Sequence, residues 1–259
     1  CNLDTGMGRL GISPHELQAL IDELRATPSV HLVGMQTHFS SSDAPDTPTV
    51  AHQLALFTTG LGRLRDAGFD PSMLHFSNSA ATLRHALDLC THVRPGILLY
   101  GCRPDPAQDF GIPLRGIAAL KGPVIKTKRV SAGATISYGC RYVASQETTI
   151  ATVHIGYAHG LPRALTNKGH LLIRGRSYPI AGTVTMDYTM VDLGRDSPVV
   201  PGDEAVAIGY QDGASIDADH VALQAGTISY EVLCGLSSSL NRYYVSGGNV
   251  IHFQEGQLY

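Results

Sequence analysis

The sequence predicts an α/β arrangement over residues 1–115, followed by a mostly β domain over residues 116–259. Up to about Gly116, short apolar segments that end in polar residues alternate with stretches of helical periodicity, which is typical of parallel α/β folds. Beyond Gly116 the chain consists of β-rich segments separated by Gly, Pro and Asp, among them TTIATVHIGY and DEAVAIG. Only four strand candidates precede the β domain, whereas a closed (β/α)8 barrel has eight. A four-stranded open sheet is the alternative, but the polar strand ends resemble the C-terminal rim of a barrel, so we expect half a barrel.

The α/β part contains two clear helix signals. The first helix follows Gly11, where residues 13–16 (SPHE) form a capping box with Pro at the first helical position. The second follows Pro48 and ends near Gly68, because its apolar residues recur at helical spacing. Strands are predicted in the opening NLDTG, in LVGMQTHFS, in MLHFSNSAA and in HVRPGILLYG. A short helix carrying Leu83, Ala86 and Leu87 should precede the last of these, and a loop with Asp43, Pro45 and Asp46 should follow the second.

The β domain contains two candidate helical stretches near its end, DADHVALQAG and YEVLCGLSSSLNRYYV, before a last strand around NVIHF. The segment GTVTMDYTMVDLG has the composition of a buried strand around Met186, with Asp187 capping a turn.

Composition excludes several function classes. Nineteen Lys and Arg stand against 22 Asp and Glu without a dense basic run, which argues against a nucleic acid or membrane partner. No apolar stretch approaches the ~18 residues that span a bilayer. The five cysteines include no CxxC pair, which argues against disulfides and structural zinc and favours a reducing, cytoplasmic location. No HxH or HExxH pattern occurs, so we expect no catalytic metal.

Polar residues at the ends of successive strands form the first functional signal. Arg9, His38, Asn78-Ser79 and Arg94-Pro95-Gly96 stand where α/β folds place their sites. Singly, each is more often a structural hydrogen-bonding residue. Together they offer a hydroxyl, backbone N–H groups, two guanidiniums and an imidazole, a set that suits a phosphate carried on an aromatic ring.

Two tyrosines of the β domain, Tyr138 and Tyr157, stand next to glycines in turns. Such residues usually pack half-buried, although a phenol in a turn can also project from a β framework.

Nine motifs in order carry a resemblance to a known family. They are DTGMGRLG, THFSSSDAPD, HFSNSAATLR, VRPGILLYG, ISYG, IGYAHGLPRALTNKG, VTMDYTMVDL, GDEAVAIG and GTISYEVLCGLS. Nearly the whole chain thereby resembles alanine racemases, which use pyridoxal 5'-phosphate to interconvert L-alanine and D-alanine for cell-wall synthesis. The resemblance implies a homodimer with shared active sites, in which each subunit has an N-terminal (β/α)8 barrel and a C-terminal β domain. This chain resembles the second half of that barrel plus the β domain.

The resemblance also implies roles for residues around the cofactor. Arg94 would face the pyridine nitrogen and leave it unprotonated, because a guanidinium keeps its proton. His38 would stack on the ring and link Arg94 to Tyr138, the base that enters from the partner subunit. A free phenol titrates near ~10, so a tyrosine base needs positive charge nearby. The remaining contacts are to the phosphate, from Ser79, Tyr230 and the backbone N–H groups of Gly96 and Ile97.

The substrate side of the implied site uses other residues. Arg9 and the backbone N–H of Met186 would bind the alanine carboxylate, with Tyr157 and Asp187 as supports. The residue matching Tyr230 crowds the substrate side chain in the family, which favours alanine. Asn2 stands where many members carry a carbamylated lysine, so we expect Arg9 to be balanced by an anion such as chloride or by Asp4.

The family's cofactor-bearing lysine, which is also its second base, lies upstream of every residue in this sequence. The four lysines present all fall in the β domain, away from the place of that lysine: Lys121, Lys126, Lys128 and Lys168. We therefore expect this chain alone to be inactive without an N-terminal half-barrel. Two alternatives stay open, a racemase of broader amino-acid range, with Thr185 altering the entrance, and a catalytically silent module that binds pyridoxal phosphate or dimerises.

Overall fold

The computed structural model describes residues 1–44, 48–84 and 88–257, so the predictions for Pro45, Asp46, Ala86 and Leu87 lie outside it. The chain divides into two compact units. One comprises Cys1–Leu99 and Phe110–Ile112, and the other comprises Tyr100–Asp109 and Pro113–Tyr259. The domain boundary after residue 115 stays a prediction. No helix in the described part of the chain combines the length and apolar character that crossing a bilayer requires.

The first unit alternates helices with short strands, as the sequence predicts. Its elements in chain order are α1 (Leu17–Ala26), β1 (Gly34–Gln36), α2 (Pro48–Asp66), β2 (Met73–His75) and α3 (Ser79–Arg84), followed by a 3₁₀ helix over Ile97–Tyr100. Strands β1 and β2 pair in parallel, with Met35 opposite Leu74. The chain on either side extends this arrangement through isolated parallel bridges, Asn2 to Gln36 and Ser77 to Val93.

The core of this unit forms where α1 and α2 pack on the strands. Phe57 of α2 meets Phe76, which follows β2, edge to face at 4.9 Å. The predicted apolar face of α2 is confirmed by its burial, and the helix stops two residues before Gly68, whose φ of +91° suits a helix C-terminus. A side chain at Gly60 would approach Leu3 within 2.8 Å, so this glycine permits the close contact.

Three predictions for this unit need correction. Helix α1 begins at Leu17 rather than directly after Ser13: Glu16, its N-cap residue, accepts the Ser13 backbone N–H at 2.7 Å, but its side chain caps no N–H of the helix. The opening NLDTG contributes only isolated bridges rather than a strand. HVRPGILLYG pairs through Val93 alone and continues as a 3₁₀ helix, since Pro95 provides no backbone N–H for a ladder.

The second unit is built on a seven-stranded antiparallel sheet. The elements in chain order are β3 (Leu120–Val130), β4 (Thr135–Ile136), β5 (Tyr142–Val143), β6 (Thr148–Val153), β7 (His170–Ile173), β8 (Arg176–Pro179), β9 (Thr189–Asp192), β10 (Glu204–Gln211), β11 (Ala214–Ile216), α4 (Ala218–Ala225), α5 (Ser229–Cys234), β12 (Arg242–Ser246) and β13 (Asn249–Gln254). The sheet order is β8-β7-β10-β3-β6-β9, with β11 on β10. Ile180, just after β8, bridges Val191 of β9, so the sheet curls until its two ends meet.

Two predictions for the second unit are wrong in part. The helix predicted in YEVLCGLSSSLNRYYV ends at Cys234, because Gly235 interrupts it. The last four residues of the stretch, RYYV, favour extended backbone and lie in strand β12. The segment around Met186 is a turn rather than a buried strand, and the Met186 side chain is 54% exposed. The helix predicted in DADHVALQAG is confirmed as α4, capped by the Asp217 side chain on the His220 N–H at 2.7 Å.

Candidate active site

A cavity of about 260 Å³ opens beside the strand ends of the first unit. Its walls include Asn2, Asp4, Arg9, His38 and Arg94. Arg9 follows the opening segment, His38 follows β1, and Arg94 follows Val93, which bridges Ser77. Because parallel neighbours end at the same edge, three residues far apart in sequence meet at one cavity.

Arg94 is the most constrained side chain of this cavity. Its Nη1 donates to the His75 carbonyl at 2.6 Å and contacts His75 Nδ1, while its Nη2 donates to the Thr37 carbonyl at 2.8 Å. The same Nη2 lies 3.4 Å from His38 Nδ1. These carbonyls fix the orientation of the guanidinium plane, which matches the predicted proximity of Arg94 and His38.

The imidazoles around Arg94 favour their neutral form. Burial lowers the pKa of His38, and the positive charges of Arg9 and Arg94 lower it further. Burial and then Arg94 lower the pKa of His75 in the same way. A neutral imidazole offers one donor and one acceptor nitrogen, so each can relay a hydrogen bond from the guanidinium.

Arg9 has no carboxylate within 4.0 Å among the described residues. The Asp4 carboxylate instead accepts the backbone N–H groups of Gly8 and Gly6, which lower its pKa. Of the two expected counter-charges for Arg9, Asp4 is therefore committed to its own loop. A bound anion near Asn2 therefore stays the prediction for what balances the charge of Arg9.

Ser79, Gly96 and Ile97 lie together at the start of two helical turns. The Gly96 N–H donates to Ser79 Oγ at 2.9 Å, and Ser79 stands in the first turn of α3. Within residues 1–44, 48–84 and 88–257 no group accepts the backbone N–H of Ile97. The Ser79 hydroxyl and the Ile97 N–H are therefore donors that suit phosphate oxygens, with the Gly96 N–H bonded to Ser79.

Tyr138 belongs to the second unit, where its side chain is 75% exposed. It occupies the turn between β4 and β5, and its hydroxyl has no described hydrogen-bond partner. The backbone around it is tied down, since Ser137 Oγ donates to the Thr183 carbonyl at 2.7 Å and Thr183 Oγ1 donates to the Tyr138 carbonyl at 2.8 Å. The phenol is thus held out from a rigid turn rather than packed.

Tyr157 and Met186 stand on two turns that touch. The Tyr157 N–H donates to the Thr185 carbonyl at 3.0 Å, and the Ala158 N–H donates to the Met186 carbonyl at 3.0 Å. A Cβ on Gly156 would lie 2.2 Å from the Met186 oxygen, so only glycine allows this approach. The Met186 N–H has no described acceptor and stays free to donate.

Asp187 and Tyr230 complete the predicted set in the second unit. Burial and the neighbouring His154 lower the pKa of His159, and Asp187 raises it, which places the Asp187 charge beside that histidine. Tyr230 lies in α5 and is 39% exposed. The preceding Ser229 donates to the Asp219 carboxylate, which is buried and also accepts the Arg103 N–H at 3.1 Å.

Sequence reasoning missed three polar residues that organise these sites: His75, Gln53 and Asp219. His75 stands one residue before the buried Phe76 at the end of β2, a strand-end position like that of His38. Gln53 lies on the buried apolar face of α2, and Asp219 lies on the buried apolar face of α4. Plotting each helix by its 3.6-residue period would show these polar residues among apolar ones. Within the described ranges, no group of three or more His, Cys, Asp or Glu side chains is arranged to hold a metal ion.

Two family models match the chain. The model described as "Alanine racemase, N-terminal domain" covers residues 2–104, and "Alanine racemase, C-terminal domain" covers residues 117–244. The alanine racemase of Chlorobaculum tepidum is 44% identical over 94% of this chain and 62% of its own length. That of Geobacter sp. strain M21 is 41% identical over 91% of this chain and 63% of its own length. The chain therefore spans somewhat less than two thirds of these relatives.

Solved alanine racemases share the fold. The Bacillus anthracis enzyme with bound L-Ala-P superposes with a TM-score of 0.88 at 36% identity, covering 98% of this chain and 66% of that one. The Clostridium difficile 630 enzyme gives a TM-score of 0.87 at 33% identity, covering 99% of this chain and 67% of that one. The predicted fold class, part of a (β/α)8 barrel followed by a mostly β domain, is thereby confirmed.

Proposed function

Because the chain belongs to the alanine racemase family, we propose that it supplies the second half of the barrel and the β domain of an enzyme that racemises alanine with pyridoxal 5'-phosphate. The D-alanine formed would serve cell-wall synthesis, and the enzyme would act as a homodimer with shared sites. The observation that carries this proposal is the meeting of Arg94, His38 and Arg9 at one cavity.

The residues present fit pyridoxal phosphate. The Ser79 hydroxyl, which accepts the Gly96 N–H, and the Ile97 backbone N–H, which has no other described acceptor, offer donors to a phosphate. Arg94 offers a guanidinium whose orientation is fixed by two carbonyls, which suits an unprotonated pyridine nitrogen. When bound, the cofactor withdraws electrons from the substrate α-carbon and so makes its proton removable.

The protein's own groups divide the remaining work. Arg9 and the free Met186 N–H bind the substrate carboxylate and so orient the α-carbon. Tyr138, supplied by the partner subunit, takes or returns the α-proton at its Oη on one face of the substrate. A lysine from the N-terminal part, outside this sequence, carries the cofactor and serves the opposite face.

Borohydride reduction followed by intact mass spectrometry tests this proposal. Reduction fixes the cofactor on its lysine, so we expect a pyridoxyl adduct on a longer chain or on a companion N-terminal fragment, and alanine turnover only where that part is present. An unmodified 27.6 kDa species that binds pyridoxal phosphate without turnover would instead support a silent binding module. Turnover of serine as fast as alanine would support the broader racemase.

A further inference from the structure

Gln53 is a fully buried amide on a helix that is otherwise apolar on that face. It is 1% exposed, and its neighbours along the same face of α2 include Val50 and Phe57. Burying an amide is unfavourable unless its donors and acceptors all find partners. The hydrogen bonds of Gln53 therefore explain why it is tolerated there.

The Gln53 amide makes four hydrogen bonds, and three of them are with His38 and Ser40 in the loop that follows β1. Its Nε2 donates to the His38 carbonyl at 3.0 Å and to Thr5 Oγ1 at 3.2 Å. Its Oε1 accepts the Ser40 backbone N–H at 3.0 Å and the Ser40 hydroxyl at 3.2 Å. A carbonyl only accepts and a backbone N–H only donates, so these partners fix which end of the amide is nitrogen.

The same amide also reaches the segment that carries Arg9. Thr5 lies four residues before Arg9, and its hydroxyl meets the Thr37 hydroxyl at 2.7 Å. The Thr37 carbonyl in turn accepts Arg94 Nη2 at 2.8 Å. One side chain on α2 is thus bonded directly to the His38 carbonyl and connected to Arg94 through Thr5 and Thr37, while Arg9 follows Thr5 in the same segment. Arg9 and Arg94 are the two charges that lower the pKa of His38.

We propose that Gln53 is a positioning residue of the cofactor cavity, which holds the His38 backbone and the Arg9 segment in the arrangement that receives the pyridine ring. The inference rests on the proposed function, because it assigns Gln53 to the geometry of that site. A purely structural amide would support folding alone. A positioning amide also sets how far the His38 ring is shielded from water and how well the cavity accepts its ligand.

The test compares Gln53→Met with Gln18→Met in the full-length protein. Methionine keeps the length of the side chain and removes all four hydrogen bonds, whereas Gln18 is exposed on α1 and bonds only to Asp22. We expect Gln53→Met to raise the dissociation constant for pyridoxal phosphate by about tenfold, because buried hydrogen bonds that shape the cavity are lost. We expect Gln18→Met to leave it unchanged.

A second readout does not depend on the cofactor. The pKa of His38 is measured by NMR titration in the apoprotein, and we expect Gln53→Met to raise it toward its ordinary value, because the loosened loop admits water. Thr5→Val removes one of the four hydrogen bonds of Gln53 and keeps the other three, so it should shift both readouts in the same direction by less. If Gln53→Met does not fold, the same two measurements on Thr5→Val test the inference.

The inference would be overturned if Gln53→Met only lowered the melting temperature. In that case the pKa of His38 and the dissociation constant for pyridoxal phosphate would equal those of the wild type. A wild-type protein that does not bind pyridoxal phosphate would overturn the proposed function instead. In that case the His38 titration alone decides whether Gln53 positions the loop.

Discussion

Single residues at the candidate site are set by backbone geometry as much as by side-chain packing. Ser137 and Cys140, on either side of Tyr138, have φ of +66° and +50°, a region that costs a non-glycine residue about 1–3 kcal/mol. The hydrogen bonds to Thr183 offset that cost and hold the turn. An exposed phenol on a strained, anchored turn is consistent with a group that acts outside its own unit.

Replacement of Tyr138 by Phe tests that role. The change removes the hydroxyl and keeps the ring and the turn, so we expect alanine racemisation to fall by about 10³-fold, the usual scale for a positioned base. Turnover is measured in both directions, and the cofactor dissociation constant should not change. Tyr210→Phe, at another exposed tyrosine, is the matched control. Activity of Tyr138→Phe within tenfold of wild type would contradict the assignment.

Gly156→Ala tests the contact between the two turns that carry Tyr157 and Met186. A Cβ would meet the Met186 carbonyl oxygen at 2.2 Å, so the turns must separate, at a cost of about 3 kcal/mol in unfolding free energy. Displacing Met186 N–H should also raise the KM for alanine more than it lowers kcat. Gly62→Ala, where no atom lies within 4 Å of the new Cβ, is the control. Equal stability of the two variants would refute the steric argument.

At the scale of elements, the β4–β5 hairpin that carries Tyr138 is too short to hold itself. It has only two paired positions, Thr135 with Val143 and Ile136 with Tyr142. Its anchor is Asp192 of β9, whose carboxylate accepts the hydroxyls of Tyr142 and Thr148 and the Gly194 N–H at 2.9 Å. Burial and this carboxylate raise the pKa of Tyr142 to about 12, which keeps its hydroxyl a donor.

Asp192→Asn should loosen that hairpin. Burial by itself raises the pKa of Asp192, but the hydrogen bonds it accepts outweigh burial and lower the pKa overall. The carboxylate therefore stabilises the fold above the unfolded pKa of ~3.9, and this stabilisation is lost as the pH falls through the lower folded pKa. We expect Asp192→Asn to lower the free energy of unfolding by about 1–2 kcal/mol at pH 7, measured by urea unfolding. The difference between the variant and the wild type should become smaller below about pH 4. Asp196→Asn, at an exposed position, should have the same free energy of unfolding as the wild type at pH 7 and below pH 4.

At the scale of the whole molecule, four half-buried histidines make stability sensitive to mild acid. Burial is the largest cause of the lowered pKa of each one: His38, His75, His159 and His170. The unfolded chain then binds protons that the folded protein does not, so stability is lost as the pH falls below the unfolded pKa of ~6.5.

Urea unfolding at pH 7.5 and pH 5.5 should show this loss. The lowered carboxyl pKa values, such as that of Asp4, act in a more acidic range and do not mask it. His170→Asn should reduce the difference between the two pH values, whereas the exposed His31→Asn should not. A stability that is equal at both pH values would contradict the prediction.

The alternating α/β part could be predicted from sequence because its signals are local. Apolar spacing in α2 and the glycine after that helix each act within one or two turns. Short extended segments were less predictable. HVRPGILLYG and GTVTMDYTMVDLG have the composition of strands. Pro95 favours a 3₁₀ helix in the first, and the approach of Gly156 to Met186 makes the middle of the second a turn, so that only its TMVD part forms strand β9.

By itself, the sequence determined the fold class, the family resemblance and the set of strand-end residues, since these follow from periodicity and from ordered motifs. Only the tertiary structure decided that Arg94 is fixed by the His75 and Thr37 carbonyls, that Asp4 is occupied by its own loop, and that Gln53 joins two segments 35 residues apart, Thr5 and Ser40. The physical reason is that hydrogen-bond partners and burial depend on which distant segments the fold brings together, and no local pattern contains that information.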